Sequence, residues 1–186
     1  TDVEFFAITR GASASDPLAD AAANEKNIVG DDGPPNDVPG GTAGLADPSL
    51  FMVAQDGFLF LRMRVDESPG NDGDIRASIG YGWAFDRVVE ADAALTTFEN
   101  LFFVAGNDDS LEWLRNETVT NPGDSREIAE VLLSNAACPP AIVNCPYLPL
   151  GSFLRVTPAP TSFNGDADYF LTMALRCADF EAEGYS

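Results

Sequence analysis

The apolar residues of this chain come in short β-prone runs, and Gly, Pro, Asn or Asp closes almost every one. The clearest run is Phe58-Leu59-Phe60-Leu61-Arg62-Met63-Arg64-Val65, entered through Asp56-Gly57. An Asp-Gly pair tolerates the positive φ of a two-residue hairpin turn, so it predicts a hairpin joining Leu50–Val53 to Phe58–Val65. Leu61, Met63 and Val65 alternate with Arg62 and Arg64, so the apolar side is expected to face a core and both arginines to face out. With 16 Gly and 13 Pro scattered over 186 residues, many short strands are favoured over long helices. The length suits one domain over 1–186, and 45% hydrophobic residues exclude a disordered chain.

Further strands are expected at Val3–Thr9, Ser78–Asp86, Leu101–Ala105, Leu111–Asn116, Ile128–Leu133, Ser152–Val156 and Asp168–Ala174. In Ser78–Asp86, Tyr81, Trp83 and Phe85 share one face and Gly80, Gly82 and Ala84 the other. Residues 16–47 read as a long Asp/Gly/Pro-rich loop, with a short helix conceivable at Pro17–Ala23. Residues 91–98 fit a helical turn or a strand equally well. About nine short strands separated by turn signals predict an all-β fold, an antiparallel β-sandwich with long loops.

Thirty acidic residues against ten basic ones give a net charge of −20. Such a surface repels phosphate backbones and anionic lipid, and attracts divalent cations. No run of about 18 apolar residues exists, so no membrane-spanning helix is expected. The chain has no His, which removes the commonest general base and most zinc and haem sites. Asp86, Glu99 and Glu112 carry no signature of a catalytic carboxylate pair. A non-enzymatic role is therefore expected. The opening Thr1-Asp2-Val3 is what a processed or trimmed chain shows.

Of three cysteines, Cys138 and Cys145 flank a Pro-rich loop. A Cys138–Cys145 disulfide would hold that loop's shape and imply an oxidising compartment, hence an extracellular or cell-surface location. Pairing of either with Cys177 stays open. Asn116-Glu117-Thr118 has the pattern of a glycosylation sequon.

The stretches Asp56–Asp66, Tyr81–Asp86, Leu111–Asn116 and Asp168–Ala174 resemble the strands of bacterial surface domains related to family 9 carbohydrate-binding modules and DOMON domains. The resemblance spans about residues 50 to 180. It implies a jelly-roll-like sandwich, secretion and often a structural calcium ion. Arg176-Cys177 stands where that pattern has Pro-Trp, and the pattern carries a further strand beyond Gly184.

Four acidic segments are candidate Ca²⁺ sites or plain turns. Asp66, Asn71, Asp72 and Asp74 place oxygen ligands around Gly70 and Gly73, and Asp31 and Asp32 sit in the long loop. Asn107-Asp108-Asp109 and Asn164–Asp168 read as hairpin turns. Tyr81, Trp83 and Trp113 are either core or a sugar-stacking platform, with Arg62 and Arg64 as outward clamps for a carboxylate or hydroxyl. At the N-terminus Val3, Phe5, Phe6 and Ile8 make a strand apolar on both faces, suited to insertion into a sheet. Together these predict a calcium-stabilised structural or adhesive subunit that polymerises with copies of itself by strand exchange. A polysaccharide-binding module is the alternative.

Overall fold

The computed structural model describes residues 6–7, 28–30, 49–71, 74–75, 80–85, 98–105, 110–116, 130–134, 153–160 and 167–186. These hold strands β1 (Phe6–Ala7), β2 (Leu50–Gln55), β3 (Phe58–Val65), β4 (Gly70–Asn71), β5 (Asp74–Ile75), β6 (Gly80–Phe85), β7 (Asn100–Ala105), β8 (Ser110–Arg115), β9 (Glu130–Ser134), β10 (Leu154–Pro158) and β11 (Tyr169–Arg176), and helix α1 (Cys177–Ala182). The fold is all-β, as the turn punctuation predicts, and its two larger sheets are antiparallel. The chain divides into two compact units, one of residues 1–72 with 153–184 and 186, the other of 73–152 with Tyr185.

The first unit holds a five-stranded sheet in the order β1-β2-β3-β11-β10. The β2–β3 hairpin turns at Asp56 and Gly57, whose φ angles of 52° and 81° are both in the left-handed region that Asp-Gly accepts. On one face of β3, Leu59, Leu61, Met63 and Val65 stand opposite Leu175, Met173, Leu171 and Tyr169 of β11. Leu154 of β10 lies opposite Met173. All of these except the half-buried Tyr169 are buried, which makes this face the core of the unit. Each buried aliphatic side chain contributes about 1.5–3 kcal/mol.

The long loop is not wholly detached from this sheet. Arg64 N–H donates to the Ser49 carbonyl at 2.8 Å, and the Arg64 carbonyl accepts from Val29 N–H at 3.1 Å. Both backbone groups of one strand residue lie on the same side, so Ile28–Gly30 continues β3's ladder where β2 begins, with Ile28 bridging Val65. Val29 is buried. Within the expected Asp66–Asp74 loop the chain carries the short strands β4 and β5.

The second unit holds a four-stranded sheet in the order β6-β7-β8-β9. Trp83, Phe102, Trp113 and Leu133 form one row across it, and Tyr81, Val104 and Leu111 another. A register shift between Trp113 and Leu114 marks a β-bulge in the β8–β9 pairing. Leu101 and Phe102 are consecutive and both buried, as are Trp113 and Leu114, so both faces of the sheet are covered. On the face bearing Leu101, Phe103 lies so close to Gly80 that a Cβ there would meet its ring at 2.8 Å. The glycine face of β6, read from the sequence as the side opposite the aromatics, is thus the seat of a Phe ring. Tyr185 belongs to this unit. Its hydroxyl donates to the Phe85 carbonyl at 3.1 Å and approaches Asn100 Oδ1 at 3.0 Å.

Two sequence expectations are corrected. Arg64 does not face out: it is 1% exposed. And β11 runs on to Arg176 and passes directly into α1, which the sequence reading did not anticipate. Arg176 grips Asp179 in a two-pronged ion pair, with Nη2 to Oδ1 at 2.9 Å and Nε to Oδ2. That contact spans the junction and turns the chain into the helix. The segments 17–23 and 91–97, Val3, Phe5, Ile8, Asp31, Asp32, Asp72, Asn107-Asp108-Asp109, Cys138 and Cys145 lie outside the described residues.

Candidate functional site

The face of the five-stranded sheet opposite its aliphatic core concentrates positive charge in a strongly negative chain. Period-2 alternation puts Arg62 and Arg64 of β3 on that face, and the β3–β11 register sets Thr172 opposite Arg62 and Phe170 opposite Arg64. The β10–β11 register then sets Arg155 opposite Thr172. Arg62, Thr172 and Arg155 therefore form one row on three adjacent strands.

Phe170 organises the row beside it. The Arg62 and Arg64 guanidinium carbons lie 4.9 and 5.0 Å from its ring centroid. At these distances the ring quadrupole attracts both cations. Phe51 of β2 meets the same ring edge-on at 5.6 Å. Arg62 Nε donates to Thr172 Oγ1 at 3.0 Å, which fixes the guanidinium across the strand. Burial first, and then the like charge of Arg155, lower Arg62 from the ordinary arginine range to about 10.

At the end of the sheet Arg64 Nη1 reaches Asp168 Oδ2 at 3.4 Å, a pair in which both side chains are almost fully buried. Asp168 directly precedes β11 and Asp66 directly follows β3, so these two acids flank the same end of the strand pair. Asp66 is 2% exposed. Of the six residues expected to hold Ca²⁺, Asp66 is the one whose side chain the structure describes. Among the described residues no group of three acidic or cysteine side chains is close enough together to hold a metal ion. The cation facing Asp168 is the guanidinium of Arg64.

The aromatic residues proposed as a sugar platform occupy the second unit. Trp113, 1% exposed, packs against Phe85 at 5.6 Å, Phe102 at 6.3 Å and Tyr185 at 6.4 Å between ring centroids. It has no surface on which a sugar ring could stack. Tyr81 is buried as well, while Trp83 and Phe85 are half-buried. Cys177 is a free, half-buried thiol at the start of α1.

Sequence reasoning singled out Arg62 and Arg64 but missed Phe170, Thr172, Arg155 and Asp168 as their partners. No short-range signal links them: Arg62 and Thr172 are 110 positions apart in the chain. Only the strand order β3-β11-β10 brings them together. Among the described residues no helix is long and apolar enough to cross a membrane. No family model, curated protein or solved structure matches this chain.

Proposed function

We propose that this chain is a non-catalytic structural subunit of the cell exterior that associates with copies of itself through its N-terminal strand. The observation that carries this reading is the position of β1. It is an outermost strand that pairs with β2 through Phe6–Met52 and Ala7–Phe51. A short strand at the edge of the described sheet is what a domain swap exchanges, because the same register accepts the identical segment from a neighbour. Met52, opposite Phe6, is 41% exposed, so apolar surface lies at that joint. The absence of His supports a role without acid–base chemistry.

Deleting residues 1–10, or substituting Phe5→Asp with Phe6→Asp, is expected to leave a folded protein that sediments as a monomer while the parent polymerises. If the exchanged strand buries both Phe side chains, their loss weakens the joint by about 1.5–3 kcal/mol each. A parent that is itself monomeric, combined with a variant that unfolds, would overturn strand exchange.

Calcium binding is part of the same proposal. The net charge of −20 and the acidic segments beside Asp66 support it. An ion present at a hundred times its dissociation constant is expected to stabilise the fold by about 2.7 kcal/mol. The check is the melting temperature in excess chelator against millimolar calcium, and equal values would rule the ion out. Carbohydrate binding is the weaker reading, because Tyr81 and Trp113 are taken up by the core.

A further inference from the structure

Tyr185 is a side chain that the second unit takes from outside its own stretch of sequence. The unit comprises residues 73–152 and this tyrosine, while Gly184 and Ser186 count with the other unit. Gly184 closes α1 with a φ of 89°, its N–H donating to the Glu181 carbonyl at 2.9 Å. Gly184 and Ser186 are exposed, and Tyr185 between them is half-buried. A ring held between two exposed neighbours is held by its own side-chain contacts.

Those contacts make a socket for a phenol. The Tyr185 ring meets Phe85 at 5.9 Å and Trp113 at 6.4 Å between centroids, and Phe85 and Trp113 meet each other edge-on at 5.6 Å. At its polar end the hydroxyl has two oxygens for partners, the Phe85 carbonyl at 3.1 Å and Asn100 Oδ1 at 3.0 Å. The direction of the Asn100 carboxamide is set by its Nδ2, which donates to the Leu114 carbonyl at 3.2 Å. That leaves Oδ1 turned to the hydroxyl. Both oxygens only accept, so the group between them must bring a proton. Asn100 is 1% exposed, and it stands opposite Phe85 in the β6–β7 register. The sheet therefore fixes the acceptors in place before anything binds, and binding has little order left to impose.

We propose that this socket on the second unit is a binding site for a para-alkyl phenol, and that Tyr185 is its built-in ligand. The aromatic walls take a flat ring, and the two acceptors demand a hydroxyl donor at its far end. A ring without the hydroxyl leaves two buried acceptors unpaired, which a site of this kind rejects. A methyl ether fails for the complementary reason, since its oxygen faces two others with no proton to share. Tyr185 holds the site in the intact chain because it is tethered there, at an effective concentration that for a short link is roughly millimolar. A free phenol competes with it, and takes the site fully once Tyr185 is removed.

The experiment compares the full chain with Tyr185→Ala and Tyr185→Phe, using para-cresol as the probe and toluene and para-methylanisole as controls. Melting temperature and isothermal titration calorimetry are the readouts. Para-cresol is expected to raise the melting temperature of Tyr185→Ala, and to bind it at least about tenfold more tightly than either control, about the worth of one hydrogen bond. The full chain should bind para-cresol at least about tenfold more weakly than Tyr185→Ala, because its own ring competes. Tyr185→Phe keeps the ring and loses the donor, so it should melt about 2–4 °C below the parent.

Equal binding of para-cresol and para-methylanisole to Tyr185→Ala overturns the site, since a plain apolar cavity would do the same. Equal binding of para-cresol to the full chain and to Tyr185→Ala also overturns it, since the probe then sits elsewhere. If Tyr185→Ala does not fold alone, para-cresol should restore its near-ultraviolet circular dichroism where toluene does not, and failure to do so counts against the proposal. A Tyr185→Phe chain as stable as the parent overturns the role of the hydroxyl and with it the choice of a phenol.

Discussion

Asp168→Ala is expected to lower the unfolding free energy by about 3–5 kcal/mol, as removal of one partner from a buried ion pair does. The reason is the 1% exposure of Arg64. With Asp168 gone, the guanidinium keeps the Phe170 ring beside it but loses a buried carboxylate 3.4 Å away. An arginine cannot shed its proton to escape, so the whole cost falls on the fold or on local opening of the β3–β11 end. The double variant Arg64→Met, Asp168→Ala should recover most of the loss, since an uncharged side chain of similar length needs no counter-ion and Met packs well on an aromatic ring. Urea unfolding is the measurement, urea being uncharged and so leaving the pair unscreened. A loss below about 1 kcal/mol in the single variant, or no recovery in the double, would show that the pair is not what satisfies Arg64.

Trp113→Ala is expected to cost about 3–5 kcal/mol, with Trp113→Phe well below it. Among the described residues the indole is the largest fully buried side chain, ringed by Phe85, Phe102 and Tyr185. Truncation opens a cavity that three rings cannot all collapse into, because Tyr185 is tied by its hydroxyl and Phe102 by the β7 ladder. If Trp113 were instead a sugar-binding surface residue, its loss would change stability by no more than about 0.5 kcal/mol. The same unfolding experiment thus decides between core and platform.

The strands were legible because each is announced locally. Asp56-Gly57 names its own turn, and the two positive φ angles at those residues are the ones the dipeptide permits. The alternation in Phe58–Val65 correctly assigned Leu61, Met63 and Val65 to the core. It failed at Arg64, and the failure has a physical cause. Alternation says which residues share a face but not whether that face meets water. Arg64 shares the outer face with Arg62, yet Asp168 and Phe170 arrive from a strand more than a hundred positions away and cover it. The aromatic strands show the converse: Tyr81 and Trp113 carry the composition of a binding platform and of a core alike, and burial alone assigns them to the core.

What the sequence determined by itself is what depends on near neighbours: the turns, most strand spans, the all-β class, and a lack of His that bears on any chemistry. The tertiary structure decided what depends on strand order. The order β3-β11-β10 sets Arg62, Thr172 and Arg155 in one row and brings Asp168 to Arg64. A strand's pattern repeats every two residues whatever its neighbour, so the pattern carries no record of which strand that neighbour is.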